Sequence, residues 1–239
     1  MAKKRSTLAS PAPAEARAGF PIVGVGASAG GLEAFTELLM HLSLDTGMGF
    51  VLVQHLDPVH ESALKQLLAR ATTMPVHEVT NDLRIEPNNV YVIPPNTSLR
   101  IEAGVLKLQP RDKARTTARS IDVFFESLAA DQHEGAIGIV LSGTASDGTI
   151  GLEAIKAEGG ITFAQDDSAG YDSMPRSAVA AGCVDFVLAP QAIAEELARL
   201  ATHPYVAGSA SRTDATSPTR PEADHAHAIT HQTDGTALP

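Results

Sequence analysis

Six short runs, at residues 22–25, 50–54, 90–93, 137–141, 161–164 and 185–188, are rich in β-branched residues and apolar at consecutive positions. A strand apolar on both faces has to be covered on both faces, which is the situation of a parallel strand between two layers of helix. The segments between these runs have the other period. Residues 31–41, 62–71, 121–132, 148–158, 176–181 and 191–200 repeat their apolar positions every three or four residues, as helices do when one face is buried. Ile121, Phe124, Phe125, Leu128 and Ala129 make one such face, and Ser120 precedes it as an N-cap. Strand and helix patterns in alternation predict an α/β fold: a doubly wound, mostly parallel sheet with helices on both faces. One segment departs from this rhythm. Residues 98–108 alternate at period two around Glu102-Ala103-Gly104, which predicts an inserted β-hairpin.

Composition narrows the class further. With 239 residues, 44% of them hydrophobic, the chain has the material for one sizeable α/β domain. Residues 19–202 read as that domain, without internal repeats. Residues 1–18 and 203–239 are polar, aperiodic and rich in Ala, Pro, Ser or Thr, and read as disordered tails. No apolar run approaches the roughly 20 residues of a membrane span, and residues 6–18 lack the apolar stretch of a secretory signal. The one cysteine, Cys183, excludes a disulfide framework within the chain and suits a reducing cytoplasm. It reads as a small buried residue rather than a reactive thiol. The net charge of −10 resides in the body, because Lys3, Lys4, Arg5 and Arg17 make the first 18 residues basic. An acidic body argues against nucleic-acid binding, which rests on neutralising phosphates.

In a doubly wound sheet, reactive groups gather at the carboxyl ends of strands. Three polar stretches fall there: Ala27-Ser28-Ala29, Gln54-His55-Leu56-Asp57, and residues 142–148, which read Ser-Gly-Thr-Ala-Ser-Asp-Gly. Neighbouring strands lie about 4.8 Å apart, so side chains on adjacent ends can meet across long sequence separations. Serine, histidine and aspartate are what a nucleophile, its base and the orienter of that base require. Ser28 lies in Gly26-Ala27-Ser28-Ala29-Gly30, a G-x-S-x-G turn from strand to helix. The competing role for Ser28 is a helix N-cap. The same turn also reads as Gly24-x-Gly26-x-x-x-Gly30, close to a dinucleotide cradle, with Asp57 as the acid for a ribose. His55 closes an apolar strand and reads either as the base or as a satisfied structural histidine. Asp147 stands just before a helix and suits either an orienting acid or a first-turn acid. Asp57 and Asp122 are weaker candidates for the orienting role. Two histidine groupings, His55 with His60 and the tail residues His225, His227 and His231, lack the ligand set or the rigidity of a metal site.

The five stretches Gly26-Ala27-Ser28-Ala29-Gly30-Gly31, Val53-Gln54-His55, Val90-Tyr91-Val92-Ile93-Pro94-Pro95, residues 141–148 and Met174-Pro175-Arg176 occur in one order. In that order they resemble the methylesterase domain of CheB, the chemotaxis protein-glutamate methylesterase, from about Pro21 to Arg199. The wording is closest to forms fused to a methyltransferase and sensor modules. The resemblance implies a serine hydrolase with Ser28 as nucleophile, His55 as base and Asp147 as orienting acid. It also implies an oxyanion hole from the Ala29 and Thr144 N–H groups. No cofactor or metal is implied. The substrate would be methylated glutamate on the cytoplasmic domain of chemoreceptors, with receptor glutamine deamidation as a second activity. A methyltransferase or sensor kinase would be a further partner, and no membrane insertion is expected. The alternative is a non-catalytic CheB-like module that binds a receptor or signalling protein. Two features depart from the family pattern. A short tail stands where stand-alone enzymes carry a receiver domain, and Ala118-Arg119-Ser120 stands where many carry Arg-Pro-Ser.

Overall fold

The computed structural model describes residues 19–54, 63–110 and 119–202. Seven strands form the main sheet: β1 (Ile22–Ala27), β2 (Gly49–Gln54), β3 (Val76–Glu78), β5 (Val90–Val92), β8 (Ala136–Val140), β9 (Ile161–Gln165) and β10 (Phe186–Leu188). All are parallel, in the order β10-β9-β8-β1-β2-β5-β3. The chain winds outward from β1 through β2 toward β3, then returns to the other side of β1 at β8. The reversal therefore lies between β1 and β8, and a sheet of this kind opens a crevice at such a point. Register carries Gly26 opposite both Val53 and Val140, and Ala27 opposite Gln54.

Two layers of helix cover the sheet, as its two-sided strands demand. Val23, Val25 and Ala27 face a core with α1 (Gly31–His41) and α6 (Pro190–Ala201), into which Phe35, Leu38 and Leu39 are fully buried. Each such side chain contributes about 1.5–3 kcal/mol by leaving water. The opposite face packs against α3 (Ser120–Gln132), α4 (Thr149–Ala157) and α5 (Ser173–Ala180). The remaining helix, α2, spans Ala63–Leu68. Gly24 and Gly26 point to that face. A Cβ on Gly24 would lie 2.8 Å from Phe125, and one on Gly26 would lie 2.4 Å from Ile121. Their missing side chains let α3 close on the sheet, so they are packing glycines inside β1 and form no cradle for a dinucleotide.

The predicted hairpin is present and larger than expected. β6 (Thr97–Glu102) and β7 (Val105–Pro110) pair antiparallel, and β4 (Leu83–Arg84) adds a third strand. The turn residues Ala103 and Gly104 have φ of 51° and 71°, the two positive values of a type I′ turn. Asp131, near the end of α3, accepts both of their amides.

Three expectations need correction. Ser120 is the first residue of α3 rather than its cap; Arg119 holds the cap position and makes no side-chain capping bond. Helix α5 begins at Ser173, ahead of the expected residue 176, because Pro175 falls in the first turn, where no N–H is needed. Strands β3 and β4 escaped the apolar pattern because they are short and largely exposed. Cys183 is buried, as expected, with 3% of its surface exposed. Among the described residues, no helix is long and apolar enough to cross a membrane.

Candidate active site

Hydrogen bonds across the β1–β8 crevice hold the two strand ends together. Beyond β1 the Ser28 N–H donates to the Ser142 carbonyl at 2.9 Å, and the Leu141 N–H donates to Gly26 at 2.9 Å. The Ser142 hydroxyl returns a bond to the Ala29 carbonyl at 2.8 Å, and the Tyr171 amide donates to that hydroxyl at 3.0 Å. Gln165, at the end of β9, accepts the Ser142 amide at 2.9 Å. Ser142 is almost fully buried, so these partners replace the water it has lost.

Ser28 is half-buried and does not cap α1. The cap position belongs to Gly30, at φ 72°, and no side chain bonds the helix start. A Cβ at Gly30 would lie 2.6 Å from the Ser142 hydroxyl, so glycine is required there by space as well as by backbone conformation. The Ser28 carbonyl accepts the Gly31 amide at 2.9 Å and the Gln54 side-chain amide at 3.2 Å. On its other side Ser28 lies against Gly143, where an added Cβ would sit 3.1 Å from the Ser28 Cβ and 2.6 Å from Met174. The serine is thus fixed through its backbone by β2 and β8, leaving its hydroxyl uncommitted to the helix. Among the described residues, no acceptor is found for the Ala29 or Thr144 N–H groups.

Asp147 is 7% exposed, and its carboxylate caps a helix, though not the one that follows it. Oδ2 accepts the Ile121 amide at 3.0 Å, and Oδ1 accepts the Asp122 amide at 2.9 Å, at the start of α3. Oδ1 also accepts the amide of Gly148 at 2.9 Å. A carboxylate has about four acceptor sites, so its capacity extends beyond these three amides. Asp122 answers from the other side. Its Oδ1 accepts the Gly148 and Gly151 amides at the start of α4, both at 2.9 Å. Its Oδ2 accepts Arg119 Nε at 3.2 Å. Burial raises the Asp122 carboxyl above its ordinary range, and the Asp147 charge adds to this, against the pull of the Gly151 amide and Arg119.

Of the residues expected from sequence, Ser28, Ala29, Thr144 and Asp147 lie on the loops that leave β1 and β8. His55, Asp57, His60 and the three tail histidines lie outside the described residues. Gln54, the last residue of β2, pairs with Ala27 at the exit of β1. Among the described residues, no group of three or more His, Cys, Asp or Glu could hold a metal. A cleft of about 440 Å³ opens beside the site, lined in part by Gln165, Asp172, Arg176, Val179 and Val187; neither Ser28 nor Asp147 lines it. Sequence reasoning missed the anchoring roles of Gln54, Ser142, Gln165 and Tyr171. Ser142 and Gln54 stood within the quoted stretches, but nothing in sequence says that their hydrogen bonds join separate strands.

Residues 23–197 match the family profile described as CheB methylesterase. The chain belongs to that family. The catalytic domain of the CheB methylesterase of Thermotoga maritima superposes with a TM-score of 0.70 at 27% identity, covering 76% of this chain and 98% of that one. A putative protein-glutamate methylesterase/protein-glutamine glutaminase of Leptospira interrogans is 34% identical over 183 residues, 76% of this chain and 95% of the relative. A protein-glutamate methylesterase/protein-glutamine glutaminase of Burkholderia lata is 35% identical over 204 residues, of which this chain spans 60% of the length. An uncharacterised 104.1 kDa protein of Rhodobacter capsulatus is 44% identical over 126 residues, and there the match covers 13% of the relative. In this chain the sheet reversal lies between β1 and β8, and the loops bearing Ser28 and Asp147 leave the sheet there.

Proposed function

We propose that this CheB-family chain is a serine hydrolase that removes methyl esters from glutamate side chains of chemoreceptors. The observation that carries the proposal is the lacing of the Ser28 turn to the 142–148 loop across the β1–β8 reversal. It brings a serine released from helix capping and a buried carboxylate to one crevice.

In this mechanism His55 takes the Ser28 proton as the hydroxyl attacks the ester carbonyl, and Asp147 holds the imidazole in the productive tautomer. The Ala29 and Thr144 amides receive the oxyanion; one such donor is typically worth about 2.7–4 kcal/mol of barrier. His55 gives its proton to the departing methoxide, methanol leaves, and an acyl-Ser28 ester remains. Water, deprotonated by His55, then releases glutamate and restores the serine. The same acyl chemistry on a glutamine side chain would expel ammonia. The relatives named as glutaminases favour that as a second activity. We assign the catalytic unit to residues 19–202, acting in the cytoplasm on the receptor's cytoplasmic domain. A methyltransferase or sensor kinase is the second class of partner. A module that only bound its receptor would have no need of Ser28, His55 and Asp147 together.

The test is methanol release from methylated receptor by wild type and Ser28→Ala. Release by the wild type alone is expected. Equal release by both would overturn the nucleophile, and no release by wild type from any receptor of the same cell would favour the binding module.

A further inference from the structure

Asp122 and Asp147 exchange caps: each carboxylate accepts amides from the helix whose start carries the other. Asp147 takes the Ile121 and Asp122 amides of α3, and Asp122 takes the Gly148 and Gly151 amides of α4. Neither α3 nor α4 is capped by the residue at its own cap position. Both acids are buried, at 3% and 7% exposure. The bonds run both ways between residues 25 to 29 positions apart, so the two helix starts form one closed unit. Gly148, an Asp122 partner, is adjacent to Asp147 and has φ 94°, which side chains other than glycine's rarely adopt. The segment bearing Asp147 thus leaves the sheet through a constrained residue whose amide Asp122 holds.

We propose that Asp122 is a positioning residue for the orienting carboxylate: it fixes the Asp147–Gly148 backbone, and through it the direction in which Asp147 meets its histidine. This rests on the reading of Asp147 as the orienting acid. The charged groups facing Asp122 are Asp147 and Arg119, and Arg119 is itself shared with Glu126 at 3.5 Å. Asp122 touches no reacting atom in this scheme. This arrangement carries an electrostatic penalty at Asp122, because burial and the neighbouring Asp147 charge both disfavour its ionised form. A hydrophobic residue would avoid that penalty, yet would strip the Gly151 amide of its acceptor and leave the Gly148 amide to Asp147 alone.

Both α4 amides go to the same oxygen, which gives the test its discrimination. Asp122→Asn keeps an Oδ1 acceptor for Gly148 and Gly151 and gives up the charge and the acceptor toward Arg119; Asp122→Ala also loses both amide bonds. Methanol release from methylated receptor, as kcat and KM separately, is compared for these two, for Ser127→Ala and for Asp147→Asn. Ser127 also sits on α3, and its hydroxyl accepts the Ile101 amide at 3.1 Å, so its loss destabilises the same helix away from the crevice. For Asp122→Ala we expect kcat to fall on the order of 10²-fold, the scale of a misplaced catalytic group, with KM little changed. Asp122→Asn should recover most of that loss, and Ser127→Ala should lower the melting temperature without lowering kcat. If Asp122→Ala does not fold, Asp122→Ser supplies the comparison, since its shorter side chain falls short of Gly151. Parental kcat in Asp122→Ala, no recovery in Asp122→Asn, or a matching kcat loss in Ser127→Ala would each overturn the proposal. Parental kcat in Asp147→Asn would overturn the triad beneath it. An inactive Asp147→Asn beside a parental Asp122→Ala would refute the positioning role alone.

Discussion

Replacing Gly26 by alanine tests whether sheet packing governs the active site. The new Cβ would lie 2.4 Å from Ile121 Cγ2 and 3.1 Å from its Cδ1. Carbon atoms in contact prefer about 3.5–4.0 Å, so the start of α3 has to move outward by roughly 1 Å. Ile121 is fully buried and has no solvent side to retreat to. Overpacking of this kind costs about 1–3 kcal/mol. Against it, alanine restricts the unfolded chain, which returns about 0.4–1 kcal/mol because Gly26 has no positive φ to preserve. At the midpoints of these ranges the net loss is about 1.3 kcal/mol, which for a domain of this size lowers Tm by roughly 3–5 °C. The Ile121 amide is also a donor to Asp147, so the displacement reaches the site, and kcat should fall by up to about 10²-fold. Thermal melts by circular dichroism and methanol release measure the two effects. Ile121→Ala alone should cost about 2–5 kcal/mol, but combined with Gly26→Ala it vacates the space the new methyl needs. The double variant should then be more stable than the sum of the singles by at least about 0.5 kcal/mol. Parental Tm in Gly26→Ala together with strict additivity in the double variant would refute the reasoning.

Two further expectations concern regions away from the crevice. Burial alone would raise the Asp185 carboxyl, but Lys156 and the Thr162 hydroxyl and amide hold it below its ordinary value. A depressed folded pKa gives stability that is present above the ordinary carboxylate value, about 3.9, and is lost as pH falls through the lower folded value. Urea denaturation should therefore show Asp185→Asn weaker than the parent near neutral pH, with the gap closing below about pH 3.9; a gap that widens there would contradict the assignment. Asp131→Ala removes the acceptor of the hairpin turn, at a cost of about 1–3 kcal/mol per stranded group. Hydrogen exchange should quicken at Ala103, Gly104 and their neighbours while methanol release stays at the parental level.

The sheet was legible because its strands are covered on both faces. Val23, Val25 and Ala27 serve one core while Ile22 serves the other, so the whole run had to be apolar. Helix α1 matched its expected bounds because its apolar period starts and stops sharply. Short exposed strands carry no such signature: β3 and β4 bury little and leave no apolar run to read. Ser28 and Asp147 stand out as candidates from their position at strand ends. Their supports do not. A glutamine on β9 that holds a serine after β8, or an aspartate on α3 that caps α4, leaves no local trace, since each partner makes sense only in the folded arrangement. Gly24 and Gly26 show the converse risk, for two glycines in a phosphate-binding spacing proved to serve a helix lying across them.

The Ser142 hub has a consequence for when this chain becomes competent during synthesis. Its partners arrive in sequence order: Ser28 and Ala29 early, then Gln165 and Tyr171 well over a hundred residues later. Loop closure of that span is slow compared with forming any single helix. A nascent chain ending before β9 would therefore carry the Ser28 turn and the 142–148 loop without the clamps that align them. Esterase activity should emerge late, only after Tyr171 has left the ribosome, which makes turnover itself a reporter of when the Ser142 clamps close.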